Sequence, residues 1–264
     1  MRLAWLTDLH LNFVSPRVFQ SLIDGVRAES PDAVLVGGDT GEAPNVGEYL
    51  RELAAQLAKP VYFVLGNHDF YRSSIPAVRE DLGRLCKAVP NLSWLPTAGV
   101  VSLSDRTALV GHDGWGDGGY GDVANTQVIL NDYFLIEDLQ ELSHADHVAK
   151  LRSLGREAAD HVRRVLPRAL ERHEEVILLT HVPPFREACW HQGKISDDDW
   201  LPFFACRAVG DVLRAIMAEY PDRRLTVLCG HTHSPGECDV RPNLTVLTGG
   251  AVYGKPGVQA VFEV

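Results

Sequence analysis

The sequence predicts an α/β protein with two sheets. Three observations carry that reading. The first third alternates short apolar runs with helix-spaced segments in the order strand, helix, strand, helix, strand, an order that calls for right-handed parallel crossovers. From residue 92 onward, extended segments follow one another at short spacing, which suits antiparallel pairing and a second sheet. Five apolar runs end in clusters of Asp, Asn and His, at the place where open α/β sheets bind ligands. The 264 residues suffice for one full core and show no sharp composition break, so a single domain, 1–264, is expected.

With 45% hydrophobic and 23% charged residues the composition is that of an ordinary globular protein. The formal net charge of −10 argues against a sequence-blind nucleic-acid binder, which needs a basic face. It leaves a phosphate substrate open, because bound divalent cations reverse the local field. The first apolar run reaches Asp8 too soon for a signal-peptide core, and no later run has membrane-spanning length. A cytoplasmic location is therefore expected. Cys86, Cys189, Cys206, Cys229 and Cys238 form no close pair of zinc-ribbon or redox type.

Residues 3–6 read as a buried first strand, followed by Asp8-Leu9-His10. In extended chain a two-residue spacing puts both side chains on one face, so the carboxylate and the imidazole converge. Residues 15–29 carry helix spacing through Val18, Leu22, Ile23 and Val26, with Ser15-Pro16 as cap and first turn. Residues 33–36 form a second strand ending in Gly37-Gly38-Asp39, where the glycines allow close backbone approach and Asp39 is placed to be shared between two cations. A helix over 49–57 leads through Pro60 into the strand 61–65 and Gly66-Asn67-His68-Asp69. Each of these motifs reads equally well as a turn when taken alone.

A helix over 76–88 precedes short strands at 92–95, 100–103 and 107–110. The glycine-rich stretch 111–121 contains a literal Gly-x-Gly-x-x-Gly from Gly116 to Gly121, but Asp117 and Asp122 crowd it and no amphipathic helix follows, which excludes a dinucleotide loop. Roughly thirty residues pass here without clear periodicity, and a loop that long in a compact domain is usually functional or disordered. His112 and Trp115 are its candidate substrate contacts, against the alternative of a packed structural loop. The longest helix is expected over 143–166, ended or kinked by Pro167. A strand at 176–179 runs into Thr180-His181-Val182-Pro183-Pro184, an irregular stretch covers 185–202, and a helix spans 208–218. A strand at 225–229 ends in Gly230-His231-Thr232-His233, and strands at 244–247 and 258–264 close the chain. The loops 111–142 and 185–202 are expected to cover a substrate cleft.

Asp8, His10, Asp39, Asn67, His181, His231 and His233 are seven N/O donors without a cysteine. They are too many for one tetrahedral zinc and match two ions sharing a carboxylate. Such a pair activates a bridging water and clamps the oxygens of an in-line displacement at phosphorus. Mn, Fe, Zn or Co suit these donors.

The ordered set Asp8-x-His10, Gly38-Asp39, Gly66-Asn67-His68-Asp69, His181 and Gly230-His231-Thr232-His233 resembles the calcineurin-like metallophosphoesterase family. The resemblance implies a four-layer α/β/β/α sandwich of two mixed sheets flanked by helices. It implies a phosphate ester, small or medium-sized, hydrolysed by attack of a metal-bridging hydroxide. Asp8, His10 and His233 would hold one metal, Asn67, His181 and His231 the other, and Asp39 would bridge. His68 would be the proton donor or phosphate contact, oriented by Asp69, and Asn67 would also meet the substrate. Protein phosphatases of the family place Glu after this His, whereas here Asp69 is followed by Phe70-Tyr71-Arg72. That slightly favours a phosphodiesterase over a phosphomonoesterase, including a Ser/Thr protein phosphatase. A non-catalytic scaffold on the same fold would be expected to lack ligands or the proton donor, and none is missing.

Overall fold

The computed structural model describes residues 1–264. In chain order the strands and helices are β1 (Arg2–Leu6), α1 (Pro16–Ala28), β2 (Ala33–Gly37), α2 (Val46–Leu57), β3 (Val61–Val64), α3 (Ile75–Ala88), β4 (Leu92–Trp94) and α4 (Leu95–Ala98). Next come β5 (Val101–Ser102), β6 (Thr107–His112), α5 (Asp132–Leu135), α6 (His144–Leu170), β7 (Glu175–Thr180), β8 (Trp190–His191) and β9 (Lys194–Ile195). The chain ends with α7 (Leu201–Phe204), α8 (Arg207–Glu219), β10 (Arg224–Cys229), β11 (Gly236–Arg241), β12 (Leu244–Thr248) and β13 (Ala260–Glu263).

Two mixed sheets result. The first has the order β13-β1-β2-β3-β4 and the second β11-β12-β10-β7-β6-β5. Their centres are parallel, β1 with β2 and β3 in one, β6 with β7 and β10 in the other. The period-two alternation of side chains builds the layers. Leu3 and Trp5 of β1 enter a cluster with Leu35, Leu109, Leu179 and Leu228 between the sheets. Ala4 and Leu6, from the same strand, point the other way and pack with Leu22, Leu50 and Leu82 from α1, α2 and α3. On the far side, Val162 and Leu166 of α6 and Leu213 of α8 cover Leu178 and Val227 of the second sheet. The order helix, sheet, sheet, helix is the sandwich expected. No helix is long and apolar enough to cross a membrane.

Ser15 caps α1 as expected, its side chain accepting Val18 N–H, and Ser74 and Ser143 cap α3 and α6 in the same way, accepting from Ala77 and Asp146. Elsewhere the structure departs from expectation. β4 joins the first sheet in parallel with β3, so only β5 and β6 form the antiparallel pair expected among the segments 92–95, 100–103 and 107–110. Pro167 does not stop α6, which runs on to Leu170. Leu166, Ala169 and Leu170 are buried in that last turn, and their packing outweighs the one hydrogen bond a proline removes. α2 begins at Val46, a turn earlier than its spacing suggests, because Gly47 masks the buried Val46. β11 is an edge strand with no buried residue, so its sequence shows no apolar alternation.

The layer between the sheets sets the distance across which the loops of the site face each other. Leu35→Ala, fully buried there, is expected to cost about 2–5 kcal/mol, read as a lower urea midpoint with an unchanged slope.

Candidate metal centre and active site

The parallel strands β1, β2 and β3 of one sheet and β7 and β10 of the other deliver their carboxyl ends to one place. Asp8, His10, Asp39, Asn67 and His181 are buried there, with His231 and His233 half-buried beside them. Five of these residues hold left-handed backbone: Asp8 at φ 50°, His10 at 44°, Asp39 at 52°, His231 at 72° and His233 at 61°. For a side-chain-bearing residue that conformation is costly and persists only where the surroundings over-determine it.

Backbone bonds tie these turns together across the strands. His10 N donates to Asp39 O at 2.9 Å, and Asp8 N donates to Gly38 O at 3.0 Å. His231 N donates to Asp8 Oδ1 at 2.9 Å, and His68 N to Asp39 Oδ1 at 2.9 Å. Two glycines leave room for these carboxylates. A Cβ on Gly66 would lie 2.1 Å from Asp39 Oδ1, and one on Gly230 would lie 2.0 Å from Asp8 Oδ2.

The donors fall into two groups. Ligand atoms of Asp8, His10, Asp39 and His233 lie within 4.8 Å of one another, and His10 Nε2 is 3.1 Å from His233 Nε2. In the second group His181 Nε2 is 3.2 Å from His231 Nδ1. Asp39 Oδ2 lies 3.7 Å from His10 Nε2 and 3.4 Å from His181 Nε2, between the groups.

The residues fit metal ions by the disposition of their free lone pairs. His181 Nδ1 donates to Gly37 O at 2.9 Å, and His231 Nε2 donates to Phe203 O at 3.2 Å. Each ring therefore turns its other nitrogen inward, where the pair needs a shared positive charge. Asn67 Nδ2 donates to Asp132 Oδ1 at 2.8 Å, which leaves Asn67 Oδ1 buried without a partner. His10 Nδ1 is buried and unpartnered as well.

Charge in the site follows from burial and neighbours. Burial alone would raise the Asp39 carboxyl, but the imidazoles of His181 and His68 hold it well below the usual carboxylate range. Asp8 is likewise lowered against burial, by His233 and His181. Burial pushes His10 down to about 4 and His231 down to about 3, keeping both as neutral donors. His181 is held up at about 10 against burial by Asp39 and Asp8. A proton there supplies the positive charge that the two carboxylates demand, and a cation would displace it.

His68 lies at the mouth. Its ring stacks on Tyr71 with centroids 4.3 Å apart and meets His10 edge-on at 4.7 Å. The expected orientation of His68 by Asp69 is not what the structure has. Asp69 is fully buried, and its carboxylate accepts the backbone N–H groups of Thr40 and Gly41 on one oxygen and of Gly66 on the other. It ties the β2 loop to the β3 loop and makes no hydrogen bond to the imidazole.

His112 and Trp115 also differ from expectation, for neither lines the cleft. His112 is buried, accepts Gly114 N on Nδ1 and packs against His161, while Trp115 is buried against Phe70. Burial satisfies these large rings in the core, the structural alternative weighed for them. Arg72 is bound to Glu42 at 2.6 Å and does not line the cleft either.

Two residues of the site had no sequence signal. Asp132, at the start of α5, accepts both Asn67 Nδ2 and, at 2.7 Å, Tyr71 OH. It lies 65 residues from Asn67 in the chain, a separation that no spacing rule reaches.

The cleft above this centre, about 210 Å³, is lined by Asp39, Asn67, His68, Asp132, His231 and His233 together with aromatic and neutral side chains. In fold, the chain is similar to a phosphopantetheinyl hydrolase from Mycobacterium tuberculosis, with 18% identity, a TM-score of 0.66, and 94% of this chain and 89% of that one covered. It is similar also to a dimetal phosphatase from Danio rerio, with 14% identity, a TM-score of 0.62, and 99% and 91% covered. No curated protein matches it in sequence. The model of the calcineurin-like phosphoesterases matches residues 1–235, the span that contains all seven donors and His68. With a match of that extent, the chain belongs to the calcineurin-like phosphoesterase family of metal-dependent hydrolases.

Proposed function

We propose that the protein is a phosphodiesterase working with two cations. The lining of the cleft carries this reading: it contains the carboxylates Asp39 and Asp132 and several imidazoles, but no Lys or Arg. A monoester dianion carries one more negative charge than a diester and gains more from fixed guanidinium or ammonium partners. A phosphomonoesterase is the second reading; for a Ser/Thr protein phosphatase the pairing of Arg72 with Glu42 removes the nearest arginine after the Asn67-His68-Asp69 motif. The complete donor set and the accessible His68 speak against a non-catalytic scaffold.

Asp8, His10 and His233 would hold one ion and Asn67, His181 and His231 the other, with Asp39 shared. The all-N/O donor set suits Mn, Fe or Zn. Bound there, two cations lower the pKa of water and neutralise charge on phosphoryl oxygens. The remaining work falls to the chain itself. Asp132 and Tyr71 fix the Asn67 amide so that its oxygen faces the centre. Asp69 holds the two loops that carry Asp39 and Asn67 in register. His68, kept upright by the Tyr71 ring, would protonate the departing ester oxygen. The loops 111–142 and 185–202 would cover the substrate, a role supported by Leu130, Asn131 and His191 in the lining.

The rate ratio on bis-p-nitrophenyl phosphate and p-nitrophenyl phosphate, with Mn-reconstituted protein and Asp39→Ala as blank, is expected to favour the diester; a monoester preference would establish the second reading. His68→Ala is expected to retain both metals by elemental analysis while losing about 10²–10⁴ in turnover, with the larger loss on alkyl esters, whose leaving oxygens need a proton. Asp39→Asn is expected to lower the occupancy of both ions together, measured by the same analysis; two full-occupancy metals would remove Asp39 from the bridging position.

A further inference from the structure

Apart from Met1, the large apolar side chains that remain exposed are Phe13, Ile129, Phe134, Trp200, Val252 and Tyr253. Phe13 follows the carboxyl end of β1, Val252 and Tyr253 follow that of β12, Trp200 precedes α7, and Ile129 and Phe134 lie in the segment around α5. β1 carries Asp8 and His10 just beyond its carboxyl end, and β12 runs parallel beside β10, whose own end carries His231 and His233. Of the six, Tyr253 lines the polar cleft and Trp200 backs the cleft residue Phe204, whereas Ile129 and Phe134 line a separate cavity with Tyr133 and His147.

Two of these residues belong to opposing aromatic walls. Tyr253 lines the cleft, with its ring 4.5 Å from that of His10 and 5.3 Å from that of His233. Phe13 meets it edge-on at 5.1 Å and fixes its tilt. Tyr253 is 49% exposed as a residue, and its ring rests in part on the His10 group. Across the cleft, Phe204 meets His231 edge-on at 5.3 Å and is backed by Trp200 at 5.3 Å. One wall thus adjoins each group of metal donors.

The geometry points to Tyr253 as a specificity-determining residue: it forms a shelf on which an aromatic or heteroaromatic ring of the substrate stacks while the phosphoryl group lies at the metal centre. The substrate class is then a phosphate ester carrying a single phosphate and a planar, uncharged ring. This deepens the phosphoesterase reading above and rests on it. The lining supports both halves of the description, since it offers ring faces for stacking and no Lys or Arg for a second phosphate. A ring held beside a phosphoryl group meets Tyr253 at once, because Tyr253 covers His10 and His233 themselves. Aromatic pairs in this arrangement are worth about 0.5–1.5 kcal/mol beyond their area, or roughly two- to tenfold in affinity.

Phenylphosphonate and methylphosphonate carry the same phosphoryl head and differ only in the ring. Their affinities for the Mn-reconstituted protein, measured by titration calorimetry, read the shelf without turnover. We expect phenylphosphonate to bind at least fivefold more tightly, Tyr253→Ala to bring the ratio to within twofold, and Tyr253→Phe to restore it. Equal affinity of the parent protein for the two ligands, or a ratio unmoved by Tyr253→Ala, would overturn the shelf. So would a ratio lost equally in Tyr253→Phe, which would assign the preference to the hydroxyl instead of the ring. Neither result bears on the preference between p-nitrophenyl esters, so the shelf and the diesterase reading fail separately.

Discussion

The Asp39 carboxylate is the group on which the site depends. Buried and ionised, it cannot stand in a protein interior without compensation. Compensation comes from the His68 N–H, from the imidazoles of His10 and His181 on either side, and, in the family's chemistry, from cations. The surrounding backbone is bent to deliver it. Gly66 is bare because a Cβ would strike the carboxylate, and Asp39 itself adopts a left-handed turn. The hydrophobic layer between the sheets supplies the stability that such strained turns draw upon. Leu35 belongs to that layer, four residues before Asp39 in the same strand and turn.

Much of this was legible in the sequence because the relevant periodicities are local. β1, β2, β3, β7 and β10 are mainly apolar runs, and each donor follows its strand by a few residues. That is why the local sequence brings forward the seven N/O side chains that the fold gathers at one place. The order of layers was legible too, once the family resemblance joined the alternation of strand and helix. The continuation of α6 past Pro167, the place of β4 and the strand β11 escape the sequence where tertiary packing or an edge position overrides local pattern. The helix through Pro167 is held by what it packs against, and β11 is partly wetted along its length.

The less legible part of the site is its support. Nothing in the motif Gly-Asn-His-Asp says whether the Asp turns toward the imidazole or away from it. The structure sends it to three backbone N–H groups, a choice made by the β2 loop lying alongside. Asp132 and Tyr71 were invisible for the same reason, since their value lies in contacts across the fold. His112 and Trp115 err in the opposite direction. Polar and aromatic residues in a glycine-rich loop suggest a cleft, yet here the loop turns them inward and closes the core beneath it.

The bond from Asn67 to Asp132 has one further consequence. Asp132 belongs to the segment between β6 and α6, of which Leu130 and Asn131 form part of the cleft wall. A displacement of that wall that breaks the bond releases the Asn67 amide to rotate. The position of the wall and the grip on whatever Asn67 holds are therefore linked equilibria, and each must bias the other by the same free energy.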